Sequence, residues 1–206
     1  MKLMRNRCYN NQDITPALVF DLPLDSQQGN IEKISGRKVS GGEFNPGSQR
    51  WSFKSEARSY NGIITGLNMG FVPGEPIGNI TLFTQGNIQS VVFNTIYFFG
   101  VGKVASSANP AVGLTAVTDN PEHIWYTPLR TPFWAALTID HEGSALYYRM
   151  DRVVERRQFT ARWDDYSNQV MMQYTGYANG TGKIELWNMK VFKGVLSHDQ
   201  LRALVI

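Results

Sequence analysis

The chain has 206 residues, of which 42% are apolar and 12% aromatic, with 20 Lys and Arg against 17 Asp and Glu for a formal charge of +3. That length suits one domain whose core needs no disulfide or structural metal. A charge this mild, without a basic run, excludes nucleic acid as the main partner.

The first fifteen residues are polar and form a separate N-terminal arm, with Lys2, Arg5 and Arg7 ahead of Asn10, Asn11 and Gln12. They lack the apolar stretch of a secretory signal. The single cysteine, Cys8, lies here and permits no internal disulfide, as expected for folding in a reducing cytoplasm. Residues 16–206 are read as one domain. After Pro16, "ALVFDLPLD" predicts a first buried strand. In "QRWSFKS" (49–55) Trp51 and Phe53 share one face, and in "NITLFTQ" (79–85) Ile80, Leu82 and Thr84 oppose Thr81 and Phe83. The most apolar stretch, "VVFNTIYFFGVG" (91–102), is too short and interrupted to cross a bilayer, so no membrane insertion is expected.

"HIWYTPL" (123–129) leads to "FWAALTID", "HEG" and "SALYYRMD", which predict a hairpin about a four-residue turn at 140–143. "ERRQFTARW" (155–163), "QVMMQYTGY" (169–177) and "KIELWNMKVF" (183–192) add three strands, with "ANGTG" (178–182) as a turn. Helical periodicity begins only at residue 197. There Ser197 and Gln200 have capping-box spacing, Asp199 lies in the first turn, Leu196 and Leu201 are placed as a staple, and Leu201, Leu204 and Val205 share a face. The expectation is a helix of about two turns, too short to be stable unless it packs on the domain.

This ending is similar to the closing signature of concanavalin-A-like jelly rolls of the laminin-G-like type, carried here by Met189, Val191, Phe192, Leu196, Ser197 and Leu201. "FWAALTIDHEGSALYYRMD" resembles the family's tryptophan-led hairpin, and "LVFDLPLDS" its opening strand; Trp187 and Asn188 depart from it, standing where an acidic pair is common. The resemblance implies an all-β fold, a two-sheet antiparallel jelly-roll sandwich with a short C-terminal helix. It also implies that the last strand returns beside the first and that the helix covers an end of the sandwich.

Such a fold hosts lectins, glycosidases and adhesion modules, so function must be argued from a site. The related glycosidases carry Glu-x-Asp-x-x-Glu on one strand, which sets an acid and a nucleophile on one face. No such run occurs: Asp140 and Glu142 straddle a turn, and Asp164 and Asp165 are adjacent. His123, His141 and His198 are scattered, which argues against zinc. Asp164, Asp165 and Asn168 could offer oxygens to calcium, but such loops are more often plain surface. Asn79 and Asn179 open glycosylation acceptor triplets that an unsecreted chain would leave unmodified. No catalytic residue, metal or cofactor is expected.

What remains is recognition. "RRQFTARWDDYSNQ" (156–169) gathers Arg156, Arg157, Arg162, Trp163, Asp164, Asp165, Tyr166 and Asn168, aromatic and polar groups of the kind that hold a sugar ring and its hydroxyls. The competing reading packs Trp163 into the sandwich. Small jelly-roll proteins without a signal resemble virion components of tailed bacteriophages. This implies a non-enzymatic virion surface protein, in capsid decoration or the tail, assembled in the host cytoplasm. Its partners would be other virion proteins, further copies of itself, or a cell-surface glycan. The alternatives are a cellular carbohydrate-binding module and a glycoside hydrolase-like enzyme.

Overall fold

The computed structural model describes residues 16–39, 41–55, 62–64, 71–92, 95–101, 111–115, 124–150, 152–160, 162–163, 170–176 and 181–206. The polar arm at 1–15 and most of the turn at 178–182 lie outside them. Among the described residues, thirteen strands and one helix follow in order: β1 Ala17–Leu22, β2 Glu43–Asn45, β3 Arg50–Ser55, β4 Gly62–Ile64, β5 Ile80–Val92, β6 Thr95–Val101, β7 Ala111–Thr115, β8 Ile124–Tyr126, β9 Phe133–Ile139, β10 Ser144–Arg149, β11 Arg152–Gln158, β12 Val170–Gly176, β13 Thr181–Lys193 and α1 His198–Arg202.

They form two sheets. The larger runs β11-β10-β9-β5-β13-β3-β2, with β1 also paired to β13; the smaller runs β4-β12-β6-β7-β8. Every pairing is antiparallel except β7 with β8. β7 lies against β5 and β9, which brings the sheets face to face. The architecture is the two-sheet jelly-roll sandwich, and the expected return of the last strand to the first is met by Leu22 opposite Met189 and Ala17 opposite Lys193.

Alternation decides the faces. Phe20 and Leu22, Trp51 and Phe53, Ile80 and Leu82, Phe133, Ala135, Leu137 and Ile139, and Ile184 and Leu186 all point inward into one core. The hairpin turn falls at 140–143 as predicted. Asp140 Oδ1 accepts from the backbone N–H groups of Glu142 and Ser144, both at 2.9 Å. Gly143 adopts φ 81°, and a Cβ there would strike the Phe159 carbonyl.

Three features differ from expectation. The first is β5, which continues past the predicted 79–85 strand to thirteen residues and takes in the start of the apolar 91–102 stretch, the rest of which forms β6. The second is a register break on β13 between Leu186 and Asn188, at the departure from the family pattern; Trp187 is the extra residue. β3 covers β13 up to Leu186 and β1 takes over from Met189, so the bulge sits where one neighbour gives way to the next. Gly86 opposes Leu186 there, where a Cβ would run into the Glu185 carbonyl.

The third is the helix. It has five residues rather than two turns, and Val205 is exposed rather than packed. The capping box is formed, with Gln200 N–H donating to Ser197 Oγ at 3.3 Å and Ser197 N–H to Gln200 Oε1 at 2.8 Å. α1 lies on the outer face of the larger sheet rather than over an end. Leu196 and Leu201 close a second, smaller core there with Phe83, Trp134, Ala136, Tyr148 and Phe192. The Gln85 carboxamide then grips the backbone of Ile206, donating at 2.8 Å and accepting at 3.1 Å.

Candidate functional site

At the sheet end where β5 begins and β13 finishes, four segments surround an open cleft of about 690 Å³. The first is 71–79, "FVPGEPIGN", whose prolines and glycines suit turns rather than a ladder. It turns on a Glu75 N–H to Val72 carbonyl bond of 3.2 Å. It is fastened to the second segment, 162–163, by Gly74 N–H to the Trp163 carbonyl and Trp163 N–H to the Glu75 carbonyl, both 2.8 Å. Arg162 Nη1 adds a 2.6 Å bond to the Gly74 carbonyl. The third segment is the β9–β10 turn, against which Gly78 passes so closely that a Cβ would meet the Asp140 carbonyl. The fourth is 193–195, held by Gly194 N–H on the Asn79 carbonyl at 2.5 Å and by Thr81 Oγ1, which donates to the Gly194 carbonyl at 2.8 Å.

The aromatic wall is Phe71, stacked on Trp163 with centroids 4.1 Å apart and planes at 11°. Lys193 brings its ammonium 5.1 Å from the Phe71 centroid, a cation–π contact. Glu75, Asn79 and His141 bring an exposed carboxylate, carboxamide and imidazole to the lining. Val72 and Val195 are exposed at the rim. The cleft therefore offers apolar surface with hydrogen-bonding groups of both polarities.

The sequence-predicted residues divide. Trp163 lines the cleft but is only 4% exposed, a wall supporting Phe71 rather than an open platform. Arg162 is exposed and braces the 71–79 segment. Arg156 and Arg157 lie on β11. Arg156 is exposed, while Arg157 sits 5.3 Å over the Phe159 ring and hydrogen-bonds Tyr147. Burial pushes the Tyr147 phenol up to about 12 against the pull of Arg157. Asp164, Asp165, Tyr166 and Asn168 lie outside the described residues. Sequence reasoning passed over Phe71, Glu75, Asn79 and Lys193; the available signal was the dense Pro and Gly punctuation of 71–79 facing a loop already suspected.

No family model matches the chain, and no curated protein matches it. Solved structures do, and their likeness is one of fold. The binding domain of botulinum neurotoxin serotype G superposes with a TM-score of 0.62 at 13% identity, over 91% of this chain and 50% of that one. Domain 4 of AbnA, a GH43 extracellular arabinanase from Geobacillus stearothermophilus solved with arabinotriose, gives 0.55 at 10% identity, over 93% and 99%. Trypanosoma rangeli sialidase in complex with sialic acid gives 0.57 at 15% identity, over 91% and 32%. The chain thus spans half of the neurotoxin domain and about a third of the sialidase chain.

Proposed function

We propose that this protein is a non-enzymatic recognition module that binds a glycan in the end cleft. The observation that carries the reading is the cleft itself, where a stacked aromatic wall stands beside a lysine, a carboxylate, a carboxamide and an imidazole. Sugars present apolar C–H faces and a rim of hydroxyls, and this lining answers both. Two fold neighbours were solved with sugars bound, arabinotriose and sialic acid, which supports the class of ligand. Binding without turnover is the reading the sequence supports, since no Glu-x-Asp-x-x-Glu run sets a pair of carboxylates on one strand face. The setting we propose is the surface of a tailed-phage virion, supported by the resemblance of small jelly rolls of this kind to phage components.

The test is a glycan array and whole-cell binding assay on the purified protein, with size-exclusion chromatography run beside it. Saturable binding to a defined sugar, weakened in Lys193→Ala and Glu75→Gln, is the expected result. A well-folded protein that binds no sugar would overturn the reading. Reducing sugar released from the bound glycan would overturn its non-enzymatic part.

A further inference from the structure

Residues 24–39, which follow β1, fold into two small turns that are fastened separately. In the first, Leu24 N–H donates to the Gly29 carbonyl at 3.0 Å and Gly29 N–H to the Ser26 carbonyl at 2.8 Å. In the second, Ile31 bridges Lys38, Val39 N–H donates to the Asn30 carbonyl at 2.7 Å, and Glu32 N–H to the Arg37 carbonyl at 2.9 Å. The Glu32 carboxylate, bonded to three backbone N–H groups, ties this second turn to Asp21 of β1. Trp51 of β3 pins the first turn through its indole N–H, 2.8 Å from the Ser26 carbonyl.

An open pocket of about 370 Å³ forms here, lined by Asn30, Lys38, Val39, Gly41, Gly42 and Trp51. That volume lies within the roughly 300–1,000 Å³ of small-molecule sites. Val39 and Trp51 belong to the core and give the pocket an apolar floor. Asn30 is 5% exposed, and its backbone carbonyl is taken by Val39. Among the described residues nothing hydrogen-bonds its carboxamide, which is nonetheless not sealed from solvent. The outer face of the larger sheet shows the contrast. There Glu185, also 5% exposed, accepts from Ser48 Oγ at 2.5 Å, Gln89 Nε2 at 3.0 Å and Asn45 Nδ2 at 3.4 Å, and the Ser52 hydroxyl opposite it is sealed without a partner. A buried polar side chain without a protein partner is uncommon, and one that opens into a pocket is placed to meet a ligand.

We propose that this pocket is a second binding site, for a uronic-acid unit of a glycan. The carboxamide both gives and takes hydrogen bonds, as sugar hydroxyls do, and Val39 and Trp51 suit the C–H face of the ring. Charge fixes the class. Lys38 is exposed, has no side-chain partner among the described residues, and is the one charged residue of the described lining. Lys33 and Arg37 are exposed on the same turn. Of the acids in these segments, Glu32 is spent on backbone N–H groups, Glu43 is paired with Lys54 at 3.2 Å, and Asp21 faces Lys190 and Lys33. Asp25 is exposed and outside the lining. The carboxylate of a uronic acid therefore finds the Lys38 ammonium at the rim while its ring occupies the pocket. The site is separate from the end cleft and rests on the glycan reading only for the class of ligand.

The experiment follows the side-chain NMR signals of the ¹⁵N-labelled protein as the methyl glycosides of glucuronate, galacturonate and mannuronate are added, each beside its neutral hexose counterpart. The expected result is that at least one uronide shifts the Asn30 carboxamide and the Trp51 indole N–H saturably, and that its neutral counterpart binds about tenfold more weakly. Lys38→Gln should erase that preference. Asn30→Ala should weaken the acid and neutral forms alike, by about tenfold. Neither variant should lower the urea midpoint, since neither side chain has a protein partner to lose, and this separates lost contact from lost fold. Silence at Asn30 and Trp51 with all three uronides, equal affinity for acid and neutral sugars, or wild-type behaviour in both variants would overturn the proposal. Shifts at Lys193 and His141 with none at Asn30 would sink this pocket and leave the cleft standing. Shifts at Asn30 with none around the cleft would keep this pocket and leave the cleft to its own array.

Discussion

On the half of the outer face that carries Phe83, Trp134, Ala136, Tyr148 and Phe192, the chain lays its own helix; on the half that carries Ser52, Glu185 and Asn87, it lays only the short β2–β3 turn among the described residues. Both halves share the same strands, since β5 and β13 run through each. The difference lies in which side chains the outward positions hold. Apolar ones give the amphipathic tail something to bury. Carboxamides, a hydroxyl and a carboxylate offer it nothing, and Gln85 marks the boundary by holding Ile206 there. The lesson is that one sheet face can be closed by an apolar helix and by a buried polar network within a few residues along a strand.

The comparison can be broken most forcefully at Leu201, the fully buried residue of α1. Leu201→Ala should cost about 3 kcal/mol, by analogy with other buried leucines, measured as a fall in urea-unfolding free energy. A loss below about 1 kcal/mol would mean that the tail does not close a core. Ser197→Ala removes the cap and should cost about 1 kcal/mol in the same assay; no change would place the helix's stability entirely in its apolar contacts.

A third test sets Glu185 against a buried carboxylate of a different kind. Glu32 accepts from the backbone N–H groups of Asp21, Ile34 and Ser35 at 2.8, 3.0 and 2.6 Å. Burial pushes its carboxyl up, but these bonds together outweigh burial and hold it below the ordinary 4.5. The folded value lies below the unfolded one, so its stabilising contribution is complete above the ordinary value and is lost as the pH falls through the folded value. Glu32→Gln should therefore flatten the acid limb of stability against pH; a limb as steep as wild type would assign the acid sensitivity to other groups. The smallest expected effect is on the polar half. Ser52→Ala deletes a hydroxyl without a partner and should leave stability within about 0.5 kcal/mol of wild type, or raise it. A loss beyond 1 kcal/mol would show that the hydroxyl is satisfied in solution.

What could be read from the sequence was what is local. The hairpin at 133–149 was legible because alternation and a four-residue turn are written in consecutive residues, and the capping box for the same reason. The bulge at Trp187 was not, because it depends on β3 and β1 meeting along one side of β13. The helix stops early because the chain after Arg202 turns toward Gln85, a partner no window around residue 200 contains. Trp163 stood between two readings until Phe71 supplied the contact that buries it. The cleft needed four segments brought together by the fold, and the polar half-face needed register. Neither leaves a periodic trace in the chain.

β13 has a further consequence, in the order of events as the protein folds. Without it, the larger sheet is three pieces: β1 with no partner, the β2–β3 hairpin, and the block of β5, β9, β10 and β11. β13 joins all three, so every bond between them waits until residues 181–193 have left the ribosome. The unfilled edges of β3 and β5 must meanwhile stay out of mispairing with other chains, a burden that grows with contacts so distant in sequence. Assembly of this sheet is thus a late, single event set by the arrival of one strand.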